Sequence, residues 1–182
     1  DLLSLMVENV TGQTLQEFFN QSINAAIGIA PVRWWFPEGH SAGAGGAEFT
    51  ARRLARVGYL ALQHGAWIGE RGLQQVVSRP RISLLTQWAP LLAGSSFLGE
   101  VTPARKGVGS DDAQLIYGHL WWTNRAKLGL GRTVPEDAFF MSGSGGQICA
   151  VIPGADMVVV RLGLVDLREV NARNRNKELY HG

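Results

Sequence analysis

Cysteine is almost absent from this chain of 182 residues, and Cys149 stands alone. That excludes an internal disulfide and any metal cluster built from cysteines. Cys149 lies in an apolar stretch and reads as inert core, which leaves the redox compartment open. No apolar run approaches the roughly 20 residues that a membrane-spanning helix needs. Charge is also sparse, with 18% of residues charged and a net charge of +2. So small an excess does not argue for nucleic acid. The basic residues Arg52, Arg53, Arg56, Arg79, Arg81, Arg173, Arg175 and Lys177 are scattered rather than gathered in one stripe. The four histidines, His40, His64, His119 and His181, show no metal-ligand spacing with one another or with acids.

What is present describes an ordinary globular protein. Apolar residues make up 46% of the chain, enough for a sizeable core in one domain. The chain opens at Asp1 without an initiator Met or a signal peptide, already inside a helical pattern through Leu2, Leu5, Met6 and Val10. This reads as a fragment or a processed product whose missing part lies upstream.

Thr11-Gly12 ends the first helix, and Thr14-Leu-Gln-Glu17 opens the next with a capping box. Leu15, Phe18, Phe19, Ile23, Ala26 and Ile27 form its apolar stripe, which reads as core. Residues 28–49 are loop-like. A helix then runs from Thr50 to about His64, stopped by Gly65. Arg52 and Arg53 occupy its first turn, where the helix dipole disfavours positive charge. Either Arg53 has an acidic neighbour in space or this helix start is weak. Residues 66–90 read as short helical pieces broken by Gly69, Gly72 and Pro80, and 91–113 as a surface loop. Leu115 to Thr123 is a strand candidate rich in aromatic and β-branched residues, and 124–136 is another loop.

The stretch from Phe139 to Gly163 is the most informative. It reads as two buried strands joined by the Pro153-Gly154 turn, with a glycine-rich kink at Ser144-Gly145-Gly146 opening the first. Without Cβ atoms at Gly145 and Gly146, a backbone or ligand can approach closely. The plain alternative is a hairpin with a bulge. The tail 166–180 reads as a frayed, exposed helix. Mainly helical residues 1–90 and strands within 115–163 make an α+β domain, here expected to be incomplete.

In their order, several segments resemble the second half of the serine β-lactamase and penicillin-binding-protein-like family, above all its class C-like esterases and amide hydrolases. They are residues 2–19, 50–58, 65–69, Tyr117-Gly-His-Leu-Trp-Trp122, and Gly143-Ser-Gly-Gly-Gln147 with its strands. The resemblance implies a partial β-lactamase/DD-peptidase-like fold with an antiparallel sheet packed against helices. It also implies acyl-enzyme hydrolysis of ester, amide, peptide-like or β-lactam-like small molecules. No cofactor, metal, nucleic-acid partner or membrane span is expected. A bacterial periplasmic or secreted location fits the family, with the cytoplasm open.

Of the family's three motifs, Ser-x-x-Lys and Tyr-x-Asn are missing from these residues. Ser22-Ile-Asn24 sits in mid-helix and Ser110-Asp-Asp112 only looks similar. The Lys-Thr-Gly-like triplet maps by resemblance onto Ser144, Gly145 and Gly146 as substrate-binding residues, with the Gln147 backbone N–H as oxyanion donor. Ser144 stands where Lys or His is usual and offers no cation, which weakens a β-lactamase reading. The chain alone is expected to be inactive. Two other readings stay in view. One is a non-catalytic binding or scaffold module of the same fold. The other is an α/β-hydrolase using Ser41 in Gly39-His-Ser-Ala-Gly43, although the strand and helix that this elbow needs are missing around it. Trp34, Trp35, Trp121 and Trp122 are candidates for an apolar substrate cleft.

Overall fold

The computed structural model describes residues 2–36, 39–43, 45–70, 72–79, 121–124, 127 and 130–163. The expected loop 91–113, residues 115–120 of the strand candidate, Ser110-Asp-Asp112, His119 and the tail 166–180 lie outside the described residues.

The chain begins with α1 (Leu2–Thr11), which stops where Gly12 takes a φ of 69°. In α2 (Leu15–Phe19) the capping box forms as its sequence requires. Thr14 Oγ1 accepts from the Glu17 N–H at 3.2 Å, and the Glu17 carboxylate accepts from the Thr14 N–H at 2.9 Å. The helix then widens into a π turn over Asn20–Asn24, which the apolar stripe alone does not reveal. The wide turn frees Asn20 to grip the following loop: its Nδ2 donates to Val32 O, and its Oδ1 accepts from Val32 N–H and from Asn24 Nδ2.

Helix α3 (Ala51–Leu62) starts at Thr50, whose hydroxyl accepts from the Arg53 N–H. Among the described residues neither Arg52 nor Arg53 has an ion-pair partner, so Thr50 carries this helix start. Beyond α3, Gly65 turns at φ 82°, and a Cβ there would lie 1.9 Å from Val77 O. Only glycine fits, and the chain leaves the helix axis at once.

Of the helical pieces expected over 66–90, residues 66–75 are corrected to a hairpin, β1 (Ala66–Gly69) paired antiparallel with β2 (Gly72–Gln75), and residues 80–90 lie outside the described residues. Gly69 and Gly72 are its closing pair, with φ 80° at Gly72. Glycines that look like helix breaks are here the hinge of a tight turn. Ile68 and Leu73, which face each other in the register, are largely exposed.

The second sheet has four antiparallel strands in the order β3 (Trp122–Thr123), β4 (Phe139–Gly143), β5 (Gln147–Ile152) and β6 (Met157–Arg161). Of the strand candidate only its last two residues pair among those described. Here Ser144-Gly145-Gly146 corrects the expected kink within one strand, since it is the turn between two strands. Pro153-Gly154-Ala155 makes the next reversal as foreseen, with Asp156 left-handed at φ 47°.

Two apolar clusters meet on α3. Leu60 joins Ile27, Ile29 and Val32, whereas Ala61 joins Trp121, Phe139 and Val151. Gly58 allows the helix to lie directly on the sheet. A Cβ at this position would come within 2.7 Å of Val158 Cγ1 and 2.8 Å of Cys149 Sγ. The loop after β3 is gathered by one buried side chain. Asn124 Nδ2 donates to the carbonyls of Gly131, Val134 and Pro135, and its Oδ1 accepts from the Leu130 N–H.

Candidate functional site

The glycine-rich segment ends β4 and reverses into β5. Gly146 N–H donates to Gly143 O at 3.2 Å, closing a four-residue turn, and Gly145 at its third position has φ 75°. A positive φ at that position is what a type II turn demands. Gly146 itself sits at φ 79°. Two side chains tie the turn to β6 and to the residues just after it. Arg161 donates to Gly146 O. The Gln147 amide makes a two-point pair with Gly163, donating to its carbonyl at 2.6 Å and accepting from its N–H at 2.9 Å. The side chain thus acts as one more rung beyond the β5–β6 ladder.

Residues along an antiparallel strand direct their backbone polar groups alternately to one side and the other. Ala138 O accepts from the Asn124 N–H at 2.8 Å, on the β3 side, while Gly143 O accepts within the β4–β5 turn. Phe139, Met141 and Gly143 therefore pair toward β5. Phe140 and Ser142 present their N–H and C=O toward β3. Strand β3 ends its pairing at Phe140, opposite Trp122. Past that point the Ser142 edge faces no strand among the described residues, and Ser142, Gly143 and Ser144 are all exposed.

This register bears on the geometry of the expected site. Gln147 lies opposite Gly143, so its N–H points into the hairpin rather than toward an open edge. Ser144, Gly145 and Gly146 form a turn, not a strand-borne triplet. Ser142 combines strand geometry with polar groups on the β3 side that no strand covers among the described residues, two positions before Ser144.

Aromatic side chains flank this edge on both faces of the sheet. Trp122 stacks on Phe140 with ring centroids 6.4 Å apart and planes 21° apart. On the α3 side, Trp121 meets Phe139 edge-on at 5.2 Å. Cys149 is fully buried beneath α3, as its sequence context suggests. Burial pushes its thiol up to about 11, against a smaller lowering by a hydrogen bond with the Gly58 backbone.

Ser41 does not sit on a nucleophile elbow. It is 1% exposed, and its Oγ accepts from the Gln16 N–H at the start of α2. No strand leads into it among the described residues, and with Oγ buried on α2 the α/β-hydrolase reading is overturned. Trp34 is likewise engaged, donating from Nε1 to Ala42 O and Gly45 O. Asn24 of the Ser-x-Asn match is fully buried against Asn20. No group of three or more potential metal ligands occurs among the described residues, and no described helix is long and apolar enough to cross a membrane. A groove of about 820 Å³ between the π turn, Arg56 and the β1–β2 hairpin is lined by Ser22 of the Ser-x-Asn match and by none of the other candidates.

One pair escaped the sequence altogether. His40 Nδ1 lies 2.6 Å from Glu8 Oε2, joining a loop to α1 across 32 positions of sequence. No short-range pattern carries such a contact.

No family model matches this sequence, and no curated protein matches it either. Among solved structures the chain is similar to one from Bacillus anthracis named "Putative 6-aminohexanoate-dimer hydrolase", with a TM-score of 0.60 and 21% sequence identity. The match covers 98% of this chain and 41% of that one. The chain therefore spans about two-fifths of that structure's length. At this identity the likeness is one of fold, and the chain has the α+β, β-lactamase-like architecture of that hydrolase over nearly all its length.

Proposed function

We propose that this chain carries the substrate-facing wall of an acyl-transfer hydrolase related to the serine β-lactamases and penicillin-binding proteins. Its substrates are short amides or esters, and the nucleophile belongs to sequence outside these 182 residues. The observation that supports this most is the Ser142 edge, uncovered by any strand among the described residues, on a fold shared with a hydrolase. An amide laid beside β4 accepts a hydrogen bond from the Ser142 N–H and donates one to its C=O, as an added strand would. Its apolar part meets the Trp122–Phe140 stack. A backbone donor aimed at a developing oxyanion contributes ~10²–10³ in rate when a nucleophile is present to use it. The 6-aminohexanoate dimer in the neighbour's name is a short, flexible amide of this kind.

The test is a titration of the chain with 6-aminohexanoate dimer, followed by backbone amide NMR. Shifts should concentrate at Met141, Ser142, Gly143 and Ser144. Ser142→Pro removes the outward N–H without removing a bond to β5, and should weaken binding about tenfold, the effect of losing roughly 1.4 kcal/mol. A fluorophosphonate serine probe should leave the chain unlabelled. Stoichiometric labelling, or shifts confined to another face, would overturn the reading.

A further inference from the structure

The Glu8–His40 pair has the arrangement of an acid-oriented imidazole. The His40 side chain is 52% exposed and that of Glu8 only 17%. Because a carboxylate only accepts, the Nδ1 facing it carries a proton, so the neutral ring is the tautomer whose Nε2 keeps its lone pair. Glu8 Oε1 is buried and has no hydrogen-bond partner among the described residues. The carboxylate is thus held with one oxygen spent on the ring. Such a partner fixes ring orientation and tautomer, and stabilises positive charge as it develops on the imidazole. Ala42 N–H donates to Trp35 O at 2.9 Å, which lays the segment holding Trp35 and Phe36 beside the one holding His40. Trp35 is 67% exposed and Phe36 41%.

We propose that His40, positioned by Glu8, is a nucleophilic site that turns over activated aryl esters of short acyl groups. It uses no serine and stands apart from the β4 edge. The Nε2 lone pair attacks the ester carbonyl carbon, the bond to the aryl oxygen breaks, and the aryloxide leaves with that electron pair. The ring passes its Nδ1 proton to Glu8, giving a neutral N-acylimidazole. Water then adds to the acyl carbon through its oxygen, the C–N bond breaks and Glu8 returns its proton to the ring; one water proton leaves on the carboxylic acid and the other passes through solvent to the aryloxide. Trp35 and Phe36 favour the aryl group. His40 is the catalytic residue and Glu8 a positioning residue.

The experiment follows p-nitrophenyl acetate hydrolysis by the full 182-residue chain. His40→Gln should lower kcat/KM at least about tenfold, the low side of what a positioned imidazole supplies. It should also remove the ultraviolet band of the N-acylimidazole from the burst. Glu8→Gln should lower kcat to a similar degree with KM unchanged, which loss of fold alone would not do. His64→Asn should match the parent. In the unaltered chain, needing no variant, diethyl pyrocarbonate should modify His40 ahead of His64 by peptide mapping. Prior treatment with a fluorophosphonate should leave the rate unchanged. Full activity in His40→Gln, an unchanged kcat in Glu8→Gln, faster modification of His64, or inhibition by the fluorophosphonate would each overturn the assignment.

Discussion

Helices α1 and α3 both carry an apolar face at helical spacing, yet they end in opposite situations. Helix α3 lies on β5 and β6 and divides two buried clusters between Leu60 and Ala61. On α1 only Ser4 is buried, while Leu2, Leu3, Leu5, Met6 and Val10 are 41–82% exposed. The pattern is the same but the cover is not. Periodicity says that a helix has an apolar face; it does not say what lies on that face. The feature that separates the two helices is small. Gly58 lets α3 approach the sheet to contact distance, and within the described residues no element closes on α1 in that way.

The contrast is broken most forcefully at Gly58. Substitution by Ala drives a methyl into Val158 and Cys149 and should cost about 1–3 kcal/mol of overpacking, measured as a lower urea midpoint. If Gly58→Ala unfolds at the same midpoint, α3 does not rest on the sheet as described. The same seam predicts an alkaline limit. The folded state holds the Cys149 thiol above its unfolded value of 9.0, up to about 11, so the native state keeps a proton that the unfolded chain gives up. That contribution is complete below pH 9 and fades as pH rises toward 11. Comparing thermal unfolding of the parent with Cys149→Ala across this window should show the parent losing more stability. Parallel curves would remove the burial of the thiol from the account. The smallest effect belongs to α1. Met6→Ser and Val10→Ser should each change stability by no more than about 0.5 kcal/mol, because those side chains are exposed. A loss of 2 kcal/mol or more, roughly that of a buried side chain, would show that something does cover this helix.

Much of the fold is legible in the sequence where the signal is local. Thr14 and Glu17 announce their own capping box, Thr50 its helix start, Gly65 its stop, and Pro153-Gly154 the reversal between β5 and β6. The α+β class follows from the same signals. What was not legible depends on partners distant in sequence. The β1–β2 hairpin was hidden because its glycines mark a turn as readily as a broken helix. The π turn was hidden because an apolar stripe does not distinguish 3.6 residues per turn from a wider one. The contact proposed at Ser142 was hidden for a similar reason. Ser144 to Gln147 carry the visible motif, whereas the Ser142 edge depends on where β3 stops pairing among the described residues. His40 and Glu8 are brought together by the loop that follows the π turn, and nothing near either residue in sequence indicates it.

Asn124 carries a consequence for how this protein can change. Its amide grips the loop through the carbonyls of Gly131, Val134 and Pro135 and the N–H of Leu130, all of them main-chain groups. The grip is blind to the side chains it passes. The loop leading into β4 is therefore free to exchange its outward residues, and with them whatever they offer to a bound molecule, while one asparagine keeps its path fixed.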